Sequence, residues 1–202
     1  MSSQSAIDFL TFTIAGQTVK VDPDIYYQIF NVSPARGRKK YVGDIIGLRI
    51  SGENYPLLRI GKNPTRLVPV SRFIMNPPAG MVVDHINNDR YDNRRENLRI
   101  ATYRQNALNK KIVGNTGFFG VNVRVKNGRS FCRAEFKLGD GVSFNFEAAD
   151  CPEHWILTAY AHDKFVLQSG DEEYAPLNFD SFKYEPFRTF LLETDLNKFK
   201  IV

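Results

Sequence analysis

Residues 81–110 read MVVDHINNDRYDNRRENLRIATYRQNALNK, and the order of residue types in this stretch decides the fold of its neighbourhood. MVVDHI is apolar and β-branched, which predicts a strand. From Asn87 to Asn97 there is little to bury and much that bonds its own backbone, which predicts a polar loop. Leu98 to Ala101 is a second short strand. Thr102 has the side chain of a helix N-cap, and a helix follows through Tyr103, Arg104, Gln105, Asn106, Ala107 and Leu108. The expectation is therefore strand, loop, strand, helix.

Upstream, residues 7–70 predict short strands and turns. FLTFTIAGQTVKV carries strand residues around a Gly-Gln turn, Pro23 opens the short helix PDIYYQIF, and ARGRKK is a basic loop. YVGDIIGLRI and YPLLRI read as strands around SGEN, and TRLVPVSRFIM turns helical near Ser71 before Asn76-Pro77-Pro78-Ala79-Gly80 breaks it. Downstream, residues 111–117 read as a linker. FFGVNVRV, SFCRAEFKL and VSFNFEA then predict three strands, with turns at Asn127-Gly128 and Gly139-Asp140-Gly141. Pro152 starts the helix PEHWILTAYAHDKFVLQ, whose apolar face is expected at Trp155, Ile156, Ala159, Tyr160 and Val166. The tail after Asn178 is rich in Phe and Tyr and carries no clear element signal. The fold class expected is α+β.

The net charge of +5 is unevenly spread. Residues 1–89 hold 10 Lys/Arg and 7 Asp/Glu, residues 90–137 hold 12 and 3, and residues 138–202 hold 5 and 12. A middle segment at net +9 suits a polyanion partner. No run of about 18 apolar residues is present, which argues against a membrane-spanning helix. The start, MSSQSAIDFLTFTIAG, lacks a basic segment before its apolar stretch, so no signal peptide is read. Cys132 and Cys151 show no paired zinc-ligand spacing, so no structural zinc is expected, and a reducing cytoplasm is the default setting.

Phosphodiester hydrolysis needs oxygen ligands for a divalent metal and a base active near neutral pH. Asp84 is a hard anionic oxygen donor, and His85 is the side chain tuned for the base. Asn97 and Asn106 follow His85 by 12 and 21 residues. Each can give a carbonyl to a metal or hold an imidazole in one tautomer. An Asp-His pair alone is more often a surface turn than a site. The ordered set carries more.

That set resembles the HNH endonucleases, in the subgroup of phage and intron-encoded homing enzymes. The likeness is strong over about residues 65–112 and looser upstream, where VDPDIYYQIF and LVPVSRFIMNPPAG also look like these proteins; Ser71-Arg72 departs from a frequent His-Arg there. The resemblance implies a ββα-metal core in which Asp84 and Asn106 bind one divalent ion, Mg2+ or Mn2+. It implies that His85 activates the attacking water and that Asn97 orients His85. Arg90, Arg94, Arg95, Arg99 and Arg104, with Lys110, are read as phosphate contacts or loop braces.

Residues 115–179 resemble the Apetala and ethylene-response-factor type of DNA-binding domain, in NTGFFGVNVRVKNGRSFCRAEFKL and the closing Ala175-Pro176-Leu177-Asn178-Phe179. VSFNFEAADCPEHW departs from the usual helix start. The resemblance implies a three-stranded antiparallel sheet packed on one helix, with the sheet in the major groove of double-stranded DNA. Strand alternation puts Asn122, Arg124 and Lys126 on one face, with Arg129, Arg133, Glu135 and Lys137 as further DNA contacts. Val121, Val123, Val125, Ala134, Phe136 and Leu138 take the other face. The expected domains are 1–112, 113–180 and a tail 181–202. The expected activity is site-specific DNA cleavage of the homing type, with restriction cleavage and a non-catalytic DNA-binding regulator as rivals. His154 and His162 are read as packing or surface residues. One centre cuts one strand, so a double-strand break takes a homodimer or a second binding event. The expected setting is the cytoplasm of a bacterial or phage-infected cell.

Overall fold

The computed structural model describes residues 8–32, 39–109, 114–138 and 141–200. Lys110, most of the ARGRKK loop and the Gly139-Asp140 turn lie outside the described residues. The molecule is mixed α+β, with small antiparallel sheets and short helices. Its contacts divide it into two units, Met1–Asn106 and Ala107–Val202. The division falls inside a helix, six residues before the boundary the linker composition suggests.

In the first unit, strands β1 (Leu10–Ile14) and β2 (Gln17–Val21) form a hairpin. Ala15 and Gly16 both have positive φ, which matches the right-handed twist of the flanking strands. Helix α1 (Pro23–Ile29) starts on Pro23, whose missing N–H costs nothing at a first helical position. Strands β3 (Phe30–Val32) and β4 (Lys39–Tyr41) pair, and β5 (Ile45–Ile50), β6 (Pro56–Ile60) and β7 (Arg66–Pro69) form an antiparallel sheet in that order. Helix α2 (Val70–Met75) ends on Asn76 in the left-handed region, just before the two prolines. The core gathers Phe12, Val19, Val21, Ile25, Ile29, Leu58 and Val70. Strands β8 (Val82–His85) and β9 (Leu98–Ala101) pair, and α3 (Tyr103–Leu108) leaves β9 at once. Residues 81–108 therefore adopt the expected strand, loop, strand, helix order.

In the second unit, β10 (Val121–Lys126), β11 (Arg129–Lys137) and β12 (Ser143–Ala149) form an antiparallel sheet. Asn127 and Gly128 turn the first hairpin with φ of 52° and 71°. Helix α4 (Pro152–Ser169) packs across β11 and β12. Its buried side differs from the expected face. Leu157, Ala161 and Leu167 are buried with Ala159 and Val166, whereas Ile156 is 43% exposed. His154 and His162 are buried too, not on the surface. The C-terminal segment is no separate tail. Helix α5 (Phe187–Glu193) and the 3-10 turns Asp180–Lys183 and Leu196–Phe199 put Phe182, Leu191 and Leu196 into the core of this unit.

A polar clip closes the second unit. Asp163 is fully buried and accepts hydrogen bonds from the backbone N–H groups of Asn178 (2.8 Å) and Phe179 (2.9 Å). The Asn178 side chain bonds the Phe119 backbone on both sides, accepting at 2.6 Å and donating at 3.2 Å. Beside it, Gly120 has φ of 68°, and a Cβ there would stand 2.0 Å from the His162 ring. Gly128 shares the positive φ but faces open space. Gly128→Ala should therefore lose only the left-handed strain, about 1–2 kcal/mol. Gly120→Ala should lose at least about 3 kcal/mol, because the clash adds to that strain. Urea denaturation of the two variants measures the difference, and equal losses would refute the clash.

Candidate active site

Asp84 and His85 are the last two residues of β8, and both are buried, at 4% and 6% exposed. The register sets Asp84 opposite Arg99 on β9. Arg99 meets Asp84 Oδ2 through Nε at 2.7 Å and through a terminal nitrogen at 2.6 Å. A buried carboxylate needs such a partner, since an uncompensated buried charge is costly. Arg99 is thus a partner of the candidate metal ligand.

His85 meets an amide, but not the one expected. Its Nε2 lies 3.4 Å from Asn93 Oδ1. Asn93 is fully buried, and its Nδ2 donates to the Arg90 carbonyl at 3.0 Å, which fixes the amide with its oxygen toward the ring. That contact places the proton of the neutral imidazole on Nε2 and makes Nδ1 the acceptor nitrogen. Burial pushes the His85 pKa below its ordinary value, against the raising effects of Asn93 and of Asp84, Asp89 and Asp92. The shift favours the neutral ring, the form a base needs.

Asn97 holds the loop. Its Nδ2 donates to Asn87 Oδ1 (2.9 Å) and to the Asp92 carbonyl (2.8 Å), and its Oδ1 accepts from the Asn87 backbone (3.0 Å). Asp92, 2% exposed, is the second hub. It accepts from Arg94 Nε at 2.8 Å and from a terminal nitrogen at 2.7 Å. The loop is also stitched to β2, where Lys20 N–H donates to the Tyr91 carbonyl and Asn93 N–H donates to the Lys20 carbonyl. Composition marked this loop as polar and left Asn93 and Asp92 as ordinary members of it. Only their burial distinguishes them.

The arginines around the loop serve the protein itself. Arg94 also reaches Glu96 and lies 5.3 Å from the Phe9 ring. Arg95 bonds Asp24 with both terminal nitrogens, at 2.8 and 2.6 Å, and reaches Asp22 at 3.2 Å. Arg90 stacks on Tyr55 at 4.4 Å and bonds the Glu53 carbonyl. Tyr55 in turn sits 6.5 Å from the His85 ring. Arg104 lies half-buried on α3.

Asn106 is exposed and stands one turn into α3. A capping box fixes the start of that helix. Gln105 N–H donates to Thr102 Oγ1 at 3.1 Å, and Thr102 N–H donates to Gln105 Oε1 at 2.9 Å. Among the described residues no group of three or more His, Cys, Asp or Glu side chains is placed to hold a metal. A cation here would rest on the Asp84 carboxylate, the Asn106 carbonyl and water. Those are hard oxygen donors without thiolate, a set that fits a magnesium-like ion.

In the second unit the outer sheet face joins the residues that alternation selected. Asn122 pairs with Arg133, Lys126 with Arg129, Arg133 with Glu147, Glu135 with Asn145, and Lys137 with Ser143. Arg124 stands opposite Phe131. The face is less basic than the lysines and arginines alone suggest, because Arg133 lies within 3.5 Å of both Glu135 and Glu147 and donates to Asn145 at 2.6 Å. Lys126, Asn127, Arg129, Phe131, Arg133 and Glu147 line one hollow on it.

A family model for HNH endonucleases matches residues 76–108. This supports an HNH endonuclease and a nuclease activity, on a segment that contains Asp84, His85, Asn93, Asn97 and Asn106. No curated protein and no solved structure matches the chain.

Two outcomes test the loop. Asn97→Ala removes three hydrogen bonds at a buried site and should cost about 2–4 kcal/mol in denaturant unfolding. Arg94 holds the Asp92 carboxyl below the usual carboxylate range. As pH falls below about 4, the unfolded chain therefore takes up that proton first, and stability drops. Arg94→Gln should flatten this acid decline in urea titrations between about pH 5 and pH 3. An unchanged slope would show that the pair is not what the acid breaks.

Proposed function

We propose that the chain is a metal-dependent DNA endonuclease with one HNH centre. The observation that carries this reading is the buried His85 beside Asp84, with its Nε2 3.4 Å from Asn93 Oδ1, inside the segment that matches the HNH endonucleases. Asp84 and Asn106 are the donors for one divalent ion, Mg2+ or Mn2+. Bound there, the ion supplies charge stabilisation at the phosphate and the leaving oxygen. His85 takes the proton of the attacking water at Nδ1. Asn93 keeps that nitrogen in its acceptor form, and Asn97 holds the loop that carries Asn93. Arg99 orients the Asp84 carboxylate through its guanidinium.

The outer face of β10–β12 reads the DNA in this proposal, in the manner of the Apetala-type domain. Arg124, Lys126 and Arg129 are its strongest cations, because no ion pair engages them among the described residues. Asn122, Arg133, Glu135 and Lys137 complete the face. A separate reading module suits a homing role, with restriction as the alternative. One centre nicks one strand, so a double-strand break calls for a homodimer. A regulator that keeps the fold without cutting is the rival from another class. The Arg99–Asp84 pair favours it, since a cation already neutralises the carboxylate.

Plasmid nicking with magnesium separates these readings. His85→Ala should cut at least about a hundredfold more slowly than the wild type, the usual scale for a lost general base. Equal rates would sink the nuclease reading, and binding without any cutting in the wild type would favour the regulator. Sequenced cleavage ends should show a long, degenerate site for homing and a short, strict one for restriction.

A further inference from the structure

We infer that the outward face of the β5–β7 sheet is a second DNA contact, gripping the phosphate backbone beside the candidate active site; this rests on the reading of DNA as substrate. Arg94, Arg95 and Arg99 are all committed to carboxylates of their own chain, and Arg90 is stacked on Tyr55. The basic residues nearest the catalytic loop are thus largely spent on holding it. Residues 45–69 tell the opposite story. They hold Arg49, Arg59, Lys62 and Arg66 against a single acid, Glu53. Among the described residues none of these four cations makes an ion pair.

The sheet places two of them together. Arg49 stands opposite Leu57, and Arg59 stands between Gly47 and Leu67. Alternation puts Arg49 and Arg59 on one face, while Leu48, Leu58 and Ile60 turn to the core. Arg59 runs over Gly47, where a Cβ would meet its Cδ at 3.6 Å. Arg49 and Arg59 line one exposed hollow with Leu48, Thr65 and Leu67. Free cations, a shallow open hollow and no acid on the face match a phosphate backbone better than a folded acidic partner, which would seek a larger apolar contact.

The same hairpin is tied to the catalytic loop. Its turn contributes Tyr55, which stacks under Arg90 near His85, and Glu53, whose carbonyl accepts from Arg90. Arg49 and Arg59 sit two and four rungs from that turn, roughly 7–14 Å along the strands. In this proposal the phosphates flanking a duplex at His85 reach this face.

The test is binding without cutting. Fluorescence anisotropy with a random-sequence 30-bp duplex in EDTA reports affinity against salt. The double variant Arg49→Gln/Arg59→Gln should bind more weakly, with a salt slope lower by about 1.8, the value for two lost phosphate contacts. Lys183→Gln/Lys198→Gln removes the same charge from the second unit and should leave the slope unchanged. Arg49→Lys/Arg59→Lys should keep the wild-type slope, because a point charge suffices for phosphate. An unchanged slope in the Gln pair, an equal drop in the control pair, or a Lys pair that behaves like the Gln pair would each overturn the inference. Both arginines are exposed, so the melting temperature should not move. The nuclease reading stands or falls on His85→Ala nicking, which this assay does not use.

Discussion

A largely polar loop of twelve residues, 86–97, between two four-residue strands has little apolar surface with which to hold itself in place. The Asn97 amide solves this by bonding three groups of the loop at once, two on Asn87 and one on Asp92. The position of Asn93 depends on that amide together with the ties of the loop to Lys20 and Arg94. The amide fixes the backbone at Asp92, the next residue is Asn93, and Asn93 decides which nitrogen of His85 carries the proton. Hydrogen bonds are directional where hydrophobic contacts are not, so a catalytic loop built this way is held in one geometry. Three of the loop's bonds therefore share one side chain, so one substitution at Asn97 removes all three.

Arginine shows two fates in one unit. On the 86–97 loop and β9 it meets Asp22, Asp24, Asp84 and Asp92 and acts as a tie. On β5 and β6 it meets no acid and stays available to solvent or a ligand. Net charge cannot tell these apart, since a paired arginine and a free one count equally. The positive field that an approaching polyanion feels near the surface comes mainly from the second kind, because the first is neutralised within a few ångströms.

Much of the fold was legible. The strand, loop, strand, helix order of residues 81–108 followed from β-branched runs, a loop of turn formers and Thr102. The three strands of the second unit followed from alternation and Asn127-Gly128. The inward side of α4 was read less well, because His154, His162 and Asp163 are buried polar residues that a hydrophobic pattern discounts. The tail escaped altogether, since Phe182, Leu191 and Leu196 reach the core from irregular turns with no period to detect. At the site, Asp84 and His85 stood out by chemical type. The roles of Asn93 and Arg99 did not, because a hydrogen-bond partner across a loop or a strand register is set by three-dimensional closure.

The capping box at Thr102 and Gln105 gives α3 a consequence for anyone reading variants of this chain. A helix of six residues is too short to hold itself in water, so its first turn exists largely because Thr102 and Gln105 satisfy each other's backbone. Asn106 rides on that turn. Changes at 102 or 105 touch neither core nor ionisable chemistry, and a scan scored on abundance would pass them as silent. Scored on the oxygen that Asn106 would present to an ion in the proposed centre, they belong with that site.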